Sequence, residues 1–189
     1  MDHDVRVNAM NSRQKDERLV VTAYHEAGHA LADHRLGFKI KWVTIVGNAE
    51  AAGRTHSNLG LKLKVLEYGY PSSATVARWH DKIVSILAGG EAQRRYSPHS
   101  IRSYMMQGDR ESVVDILMRL HPAEAEMRAV FKYLKIRTSN LIGQPRNWGM
   151  IRDLARALLK RKTLTGDEVK AVFHDAFQRQ TTEWRRKGE

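Results

Sequence analysis

The chain has 189 residues, of which 42% are hydrophobic and 28% charged, and this composition is that of an ordinary globular protein with one domain. It contains no cysteine, which excludes disulfides, thiolate zinc sites and cysteine nucleophiles. The net charge of +11 favours acidic partners, and no apolar run approaches the ~20 residues that span a membrane, so we expect a soluble, cytoplasmic protein.

The predicted elements begin after a polar N-terminus. Residues 1–14 are expected to form a flexible N-terminal arm, and residues 15–189 a single domain. Apolar periodicity and turn residues predict first a helix over 15–36, a strand over 39–46 and a weaker strand over 54–58. Helices are then expected over 73–96, over 109–120, from 122 to about 135 or a little beyond, from 145 onwards, and after a turn at 164–168. The sequence therefore predicts a mainly α fold with a small β-hairpin beside the first helix.

Glycines and capping residues refine these boundaries. Gly37 is a suitable C-cap for the first helix. Gly89 and Gly90 lie inside the helix over 73–96, where they cost helix stability, and this indicates close packing against another helix. Thr165 or Asp167 is expected to cap the final helix.

Residues 25–29 read His-Glu-Ala-Gly-His, within the first predicted helix. Two histidines four residues apart share one helix face, which is the spacing at which a single helix holds a zinc ion. We therefore predict that His25 and His29 bind Zn²⁺ and that Glu26 is the general base for the water that such a metal activates. The alternative is a pair of hydrogen-bonded core histidines with Glu26 exposed. The apolar surroundings favour the metal, because burying these polar groups without partners costs several kcal/mol.

A catalytic zinc site of this kind needs a third protein ligand from elsewhere in the chain. His34 follows His29 by five residues and so points to another side of the same helix, which excludes it. His56 follows the first strand and could approach only if the hairpin folded back. His56 is therefore a weak candidate.

Two carboxylates remain, Glu91 and Asp109. Glu91 lies on the helix over 73–96, where it could equally form a salt bridge with Arg94 or Arg95. Asp109 lies at the start of the following helix, where it could equally be a simple N-cap. Spacing alone leaves these two candidates level.

Three stretches resemble the peptidase domain of the FtsH-type zinc metalloproteases, in that family's order. They are Thr-Ala-Tyr-His-Glu-Ala-Gly-His-Ala at 22–30 with Val-Thr-Ile at 43–45, Leu-Ala-Gly-Gly at 87–90 with Gly-Asp at 108–109, and Leu-Leu-Lys-Arg-Lys-Thr-Leu-Thr-Gly-Asp-Glu-Val at 158–169. The resemblance extends over residues 15–177, most of the chain. The resemblance implies a helical zinc-peptidase fold. It also implies that Asp109 rather than Glu91 is the third ligand, because the family uses an aspartate at the start of the corresponding helix.

The chain also departs from that family. It has no G-x-x-x-x-G-K-[ST] phosphate loop and no ATPase module, it has no membrane segment, and residues 94–107 do not match the family's acidic stretch. The resemblance therefore concerns a peptidase domain that stands alone, without ATP-driven unfolding of its substrates.

The primary functional prediction is a soluble zinc metalloendopeptidase, ATP-independent in this chain, which cleaves flexible or unfolded proteins. The edge of the strand at 42–46 is one place where an extended substrate could bind by strand addition. Two alternatives stay open: a regulatory protease that cleaves a specific repressor-like partner, and a non-catalytic, zinc-stabilised interaction protein with a basic binding surface. Basic clusters at 93–95, 160–162 and 184–187 favour an acidic partner or a solvated face over a dedicated nucleic-acid site.

Overall fold

Helices make up most of the chain, as the sequence predicts. The structure, a computed structural model, describes residues 2–47, 52–58, 71–100 and 107–187, without the side chains of 2–15, 107 and 187. Its elements are α1 (Asp2–Arg35), β1 (Lys39–Thr44), β2 (Arg54–Asn58), α2 (Ser73–Tyr96), a 3-10 turn (Pro98–Ser100), α3 (Gln107–Leu120), α4 (Glu124–Gly143), α5 (Pro145–Arg161), β3 (Thr163–Thr165) and α6 (Gly166–Lys187). The predicted mainly α class is confirmed.

Helix α1 carries the histidine motif and begins earlier than predicted. It is helical from Asp2 rather than from residue 15, because extending an existing helix adds one hydrogen bond for each residue fixed and needs no new nucleus. The division into an arm over 1–14 and one domain over 15–189 stays a prediction. The C-terminal end is as predicted: Gly37 has a φ of +73°, and the Phe38 amide donates to the Asp33 carbonyl at 2.8 Å.

The small sheet has three antiparallel strands in the order β2-β1-β3. The predicted hairpin of β1 and β2 is confirmed, with Val43 opposite Thr55. Strand β3 was not predicted, because three residues next to a turn carry no readable alternation; its Leu164 pairs with Val43 from the other side. The prediction that the strand at 42–46 offers an edge to a substrate is therefore wrong, since β1 is the central strand.

The later helices differ from the prediction mainly in length. Helix α4 begins at Glu124, shortly after Pro122, and continues to Gly143, beyond the predicted end at 135. Helix α5 begins at Pro145 as predicted, and α6 is preceded by a capping box. In that box the Thr165 hydroxyl accepts from the Glu168 amide at 3.4 Å, and Glu168 Oε2 accepts from the Thr165 amide at 2.7 Å. Thr165 is therefore the cap.

Two apolar clusters hold the helices together. The larger one joins α1, the sheet, α5 and α6 through fully buried side chains such as Leu31, Leu154 and Phe173. The second joins α2, α3 and α4 around Ile83 and Leu134. Burying each such side chain stabilises the fold by about 1.5–3 kcal/mol. Helix α2 also reaches the larger cluster through Ala88 and Ala92, so it links the two.

A histidine pair joins α2 to the link between α3 and α4. His121 Nδ1 donates to Glu126 Oε1 at 2.8 Å, because an ionised carboxylate can only accept. In neutral His121 the other ring nitrogen is then an acceptor, and it takes the Nε2–H of His80 at 3.0 Å. The hydrogen bond between the two Nε2 atoms therefore contains one proton, that of His80.

The junction predicts how stability depends on pH. Burial lowers the pKa of His80. The charges of His121 and Arg137 lower it further, and the charge of Asp81 opposes them. The unfolded chain therefore binds more protons than the folded one as pH falls through about 6.5, and stability is lost in that range. We expect His80→Gln to flatten the loss of unfolding free energy between about pH 7 and pH 5 in urea titrations. His174→Gln, at an exposed position on α6, is the control and should leave the native slope; a native slope in His80→Gln would contradict the prediction.

Candidate metal centre

The histidine motif faces α2 at a point where the two helices come unusually close. A Cβ on Gly28 would lie 2.5 Å from the Ala88 carbonyl oxygen and 2.6 Å from Ala92 Cβ. A Cβ on Gly89 would lie 2.3 Å from His29 Nε2. The predicted close packing around the glycines of α2 is therefore confirmed at Gly89, where the missing side chain makes room for the imidazole of His29.

Three predicted residues converge at this contact. His25 Nε2 and His29 Nε2 are 3.0 Å apart, and Asp109 Oδ2 from α3 lies 3.4 Å from the first and 3.5 Å from the second. Ligand atoms of a tetrahedral zinc site with bonds of about 2.0–2.1 Å lie roughly 3.3 Å from one another. The three atoms thus match three corners of such a site. In the described parts of the chain, no other group of three or more His, Cys, Asp or Glu side chains is arranged to hold a metal ion.

Hydrogen bonds fix which ring nitrogens face this point. His29 Nδ1 lies 2.8 Å from the Ser85 carbonyl oxygen, which can only accept, so Nδ1 carries the proton. His25 Nδ1 lies 3.0 Å from Gln93 Oε1, and the Gln93 amide nitrogen, 3.3 Å from the Ser100 carbonyl, sets the orientation of that amide. When both imidazoles are neutral, as a bound metal requires, each therefore presents the lone pair of Nε2 to the point that faces Asp109. This is the donor set that a zinc ion requires.

The electrostatics of the cluster favour a positive charge at the same point. Burial lowers the pKa of His29, but the Asp109 carboxylate, with a contribution from Glu26, outweighs burial and raises the pKa of His29 to about 9. Burial likewise opposes ionisation of Asp109, yet the His29 charge and hydrogen bonds from His25 and His29 hold the pKa of that carboxyl well below its ordinary value. A divalent cation satisfies all three donors at once, whereas a proton satisfies them only in part.

Glu26 is buried between α1 and the sheet, not exposed as the alternative of simple core histidines requires. Its side chain is 5% exposed, and the Thr55 hydroxyl of β2 donates to Oε2 at 2.8 Å. The backbone at Gly53 lies so close that a Cβ there would be 2.9 Å from Glu26 Oε1. The loop before β2 and the strand itself therefore hold the carboxylate, whose charge acts on the neighbouring His29.

A buried aspartate that the sequence analysis missed connects the elements around the site. Asp33, 2% exposed on α1, accepts from the Ser85 hydroxyl and from the Ser57 hydroxyl, each at 2.5 Å. Ser85 is the residue whose carbonyl holds His29, and Ser57 lies on β2 two residues beyond Thr55. Asp33 thus joins α1, α2 and β2. Its position one turn after His29 is the only sequence signal, and that signal does not separate it from an exposed aspartate.

The structure also separates the competing third ligands. Asp109 lies within the first turn of α3, which begins at Gln107, so it is not the N-cap and its carboxylate is directed at the histidines. Glu91 instead pairs with Arg94 at 2.9 Å. His56 stacks on Trp42, with ring centroids 5.4 Å apart. The remaining candidate, His34, lies against Phe173 on the far side of α1.

Gln93, also missed by the sequence analysis, gives the first test of this centre. We expect Gln93→Ala to weaken zinc binding about 10–100-fold, because the Nδ1–H of His25 loses its acceptor and the ring its orientation. Gln93→Glu keeps an acceptor oxygen there and should recover most of the affinity. Competition against a chromogenic chelator at pH 7 measures both dissociation constants. Native affinity in Gln93→Ala would show that His25 needs no such support.

No protein-family model matches this sequence, and no curated protein matches it. The resemblance to FtsH-type peptidases therefore stays a prediction that rests on the sequence motifs alone. None of the helices in the described ranges combines the length and apolar character that crossing a membrane requires.

Proposed function

We propose that this chain is a zinc metalloendopeptidase that hydrolyses peptide bonds in flexible or unfolded proteins. The observation that carries the proposal is the convergence of His25 Nε2, His29 Nε2 and Asp109 Oδ2 at 3.0–3.5 Å from one another, with the buried carboxylate of Glu26 on the same helix. Three protein ligands leave one position of a tetrahedral ion open to substrate and water, as in catalytic rather than structural zinc sites.

Each residue has a definite part in the proposed reaction. His25 and His29 would hold Zn²⁺ through Nε2, and Asp109 would hold it through a carboxylate oxygen. When bound, the ion would supply Lewis acidity to the scissile carbonyl and to the attacking water. Glu26 takes a proton from that water and passes it to the leaving amine nitrogen. The Thr55 hydroxyl fixes the orientation of the Glu26 carboxylate during both transfers.

The proposed substrate is a protein segment that is already flexible, such as a loop, a terminus or a damaged protein. These 189 residues contain no phosphate-binding loop that could drive unfolding. Because β1 is paired on both sides, an extended substrate would instead run along β2, an outer strand of the described sheet that carries Thr55 next to Glu26. The cytoplasmic location predicted from the sequence belongs to the same proposal.

The two alternatives make different demands on this site. A purely structural zinc site calls for four protein ligands and has no use for a buried carboxylate such as Glu26. The described residues offer three ligands, which favours a catalytic site over a non-catalytic interaction protein. A regulatory protease would share the whole metal centre and would differ only in its substrate, so cleavage of a general substrate separates it from the primary proposal.

Removing the metal tests the proposal. We expect the purified protein to bind one equivalent of zinc and to cleave casein, to lose cleavage on dialysis against 1,10-phenanthroline, and to regain it with one added equivalent of zinc. Zinc analysis by mass spectrometry and release of labelled casein fragments measure both quantities. Intact casein in the fully zinc-loaded protein would contradict a general peptidase, and absence of zinc binding would contradict the metal centre itself.

A further inference from the structure

A surface of stacked aromatic rings and arginines lies beside the metal centre. We call it the aromatic–arginine surface, and it consists of Tyr24, Arg95, Tyr96, Trp148, Arg152 and Arg156. The ring of Tyr24 stacks on Tyr96 with centroids 3.8 Å apart and on Trp148 with centroids 5.6 Å apart. The Arg95 guanidinium lies 4.9 Å from the centre of the Trp148 ring. Helices α1, α2 and α5 each contribute to this surface.

The surface carries more positive charge than its carboxylates neutralise. Trp148, Arg152 and Arg156 are spaced by four residues along α5 and therefore form one stripe on that helix. Arg156 lies 3.6 Å from Asp153, which also binds Arg179 of α6 at 2.6 Å. Arg95 and Arg152 have no carboxylate partner among the described residues. An acidic partner would therefore supply the carboxylates that these two arginines lack in the described part of the chain.

The surface is continuous with the proposed active site. Tyr24 directly precedes His25 on α1, and Tyr96 follows Gln93 by three residues, which is about one turn of α2. Gln93 in turn bonds to His25 at 3.0 Å. A chain bound on the aromatic–arginine surface would thus lie next to the metal centre, where its own peptide bonds come within reach.

We propose that the aromatic–arginine surface binds an acidic segment of the protein substrate beside the bond to be cleaved. This inference rests on the proposed peptidase function and names its substrate class. The plane of the Arg95 guanidinium is fixed by its position over Trp148 and by the bond from Nη1 to the Gly143 carbonyl oxygen at 3.3 Å, and its other N–H groups suit contacts to a carboxylate. A single-stranded nucleic acid is less well matched because its bases need a succession of open rings. Here Tyr24 and Trp148 are half-buried and stacked on neighbouring groups, whereas Tyr96 is 42% exposed.

The test measures binding without hydrolysis. The probe is a fluorescein-labelled Glu-Ala repeat peptide of twelve residues, titrated by anisotropy with zinc-loaded Glu26→Gln protein. We expect charge reversal of Arg152 and Arg156 to weaken binding about 10-fold or more. The matched control reverses Lys132 and Lys135 on α4, equally exposed cations outside the surface, and should change binding less than about 3-fold. Arg152→Gln with Arg156→Gln is a milder variant whose loss should fall between the two.

Three outcomes would overturn the proposal. Equal weakening in the reversed surface and the α4 control would reduce the effect to net charge. Tighter binding of a twelve-residue oligothymidylate than of the peptide, lost on the same arginine substitutions, would assign the surface to nucleic acid. Native binding in both arginine variants would leave the surface without a partner. Failure of the peptidase proposal appears separately, as intact casein with the otherwise native, zinc-loaded protein.

Discussion

Replacing Glu26 with glutamine is expected to lower casein cleavage by about 10²–10⁴-fold while leaving one equivalent of zinc in the protein. Glutamine keeps the shape of the side chain and an oxygen that accepts from Thr55, but it cannot take a proton from water. Because none of the three converging ligand atoms belongs to Glu26, the ion should stay bound in this variant. The effect falls on the reaction step, so it should appear in kcat more than in KM.

The matched control for this substitution is Glu17→Gln, which makes the same chemical change at an exposed position on the same helix. It should retain native cleavage and native zinc content. Undiminished cleavage by zinc-loaded Glu26→Gln would remove Glu26 from the reaction and with it the proposed mechanism. Loss of zinc in that variant would instead show that Glu26 is needed to assemble the metal centre.

Adding one methyl group at Gly89 is the second substitution with a large expected effect. Alanine inside a helix is ordinarily more stable than glycine by about 0.5–1 kcal/mol. At Gly89, however, the new Cβ would lie 2.3 Å from His29 Nε2 and 2.7 Å from two ring carbons, so the imidazole must leave its place. We expect Gly89→Ala to lower zinc affinity by more than about 100-fold, which is a larger loss than that expected for Gln93→Ala, and to lower cleavage accordingly.

Gly108→Ala is the control for that change, because no atom of the described residues lies within 4 Å of the Cβ it would add in the first turn of α3. It should keep native zinc affinity and gain slightly in thermal stability. Isothermal titration with zinc and thermal unfolding of the metal-free proteins separate a local effect at His29 from general unfolding. Native zinc affinity in Gly89→Ala would mean that His29 does not need the space that Gly89 leaves.

Local sequence signals were sufficient for the helices, the hairpin and the histidine pair. These signals depend on neighbours within a few residues. They are the spacing of His25 and His29 on one helix, the helix end at Gly37 and the helix start at Pro145, and all three agree with the structure. Strand β3 was not predicted because three residues define no periodicity. The end of α4 at Gly143 was not predicted because it depends on packing against α2 rather than on a capping signal.

The residues that support the candidate metal centre could not be identified without the tertiary structure. Spacing left Asp109 and Glu91 level, because which carboxylate reaches α1 depends on how α2 and α3 pack. Gln93 acts through its bond to His25, sixty-eight residues away in the chain, and no local pattern records such a contact. The same holds for Asp33, whose two serine partners lie on different elements.

The three ligand atoms come from two helices that are distant in the sequence, α1 and α3. An ion that binds all three is therefore a cross-link, and it stabilises the folded chain in proportion to the logarithm of the free metal concentration. Helix α3 gains the most stability from such an ion, since its N-terminal end contacts α1 through Asp109. When the metal is scarce, we expect that end to open more readily, its amide hydrogens to exchange faster and proteases to cleave it. Metal supply would then govern the lifetime of the protein in the cell as well as its rate of reaction.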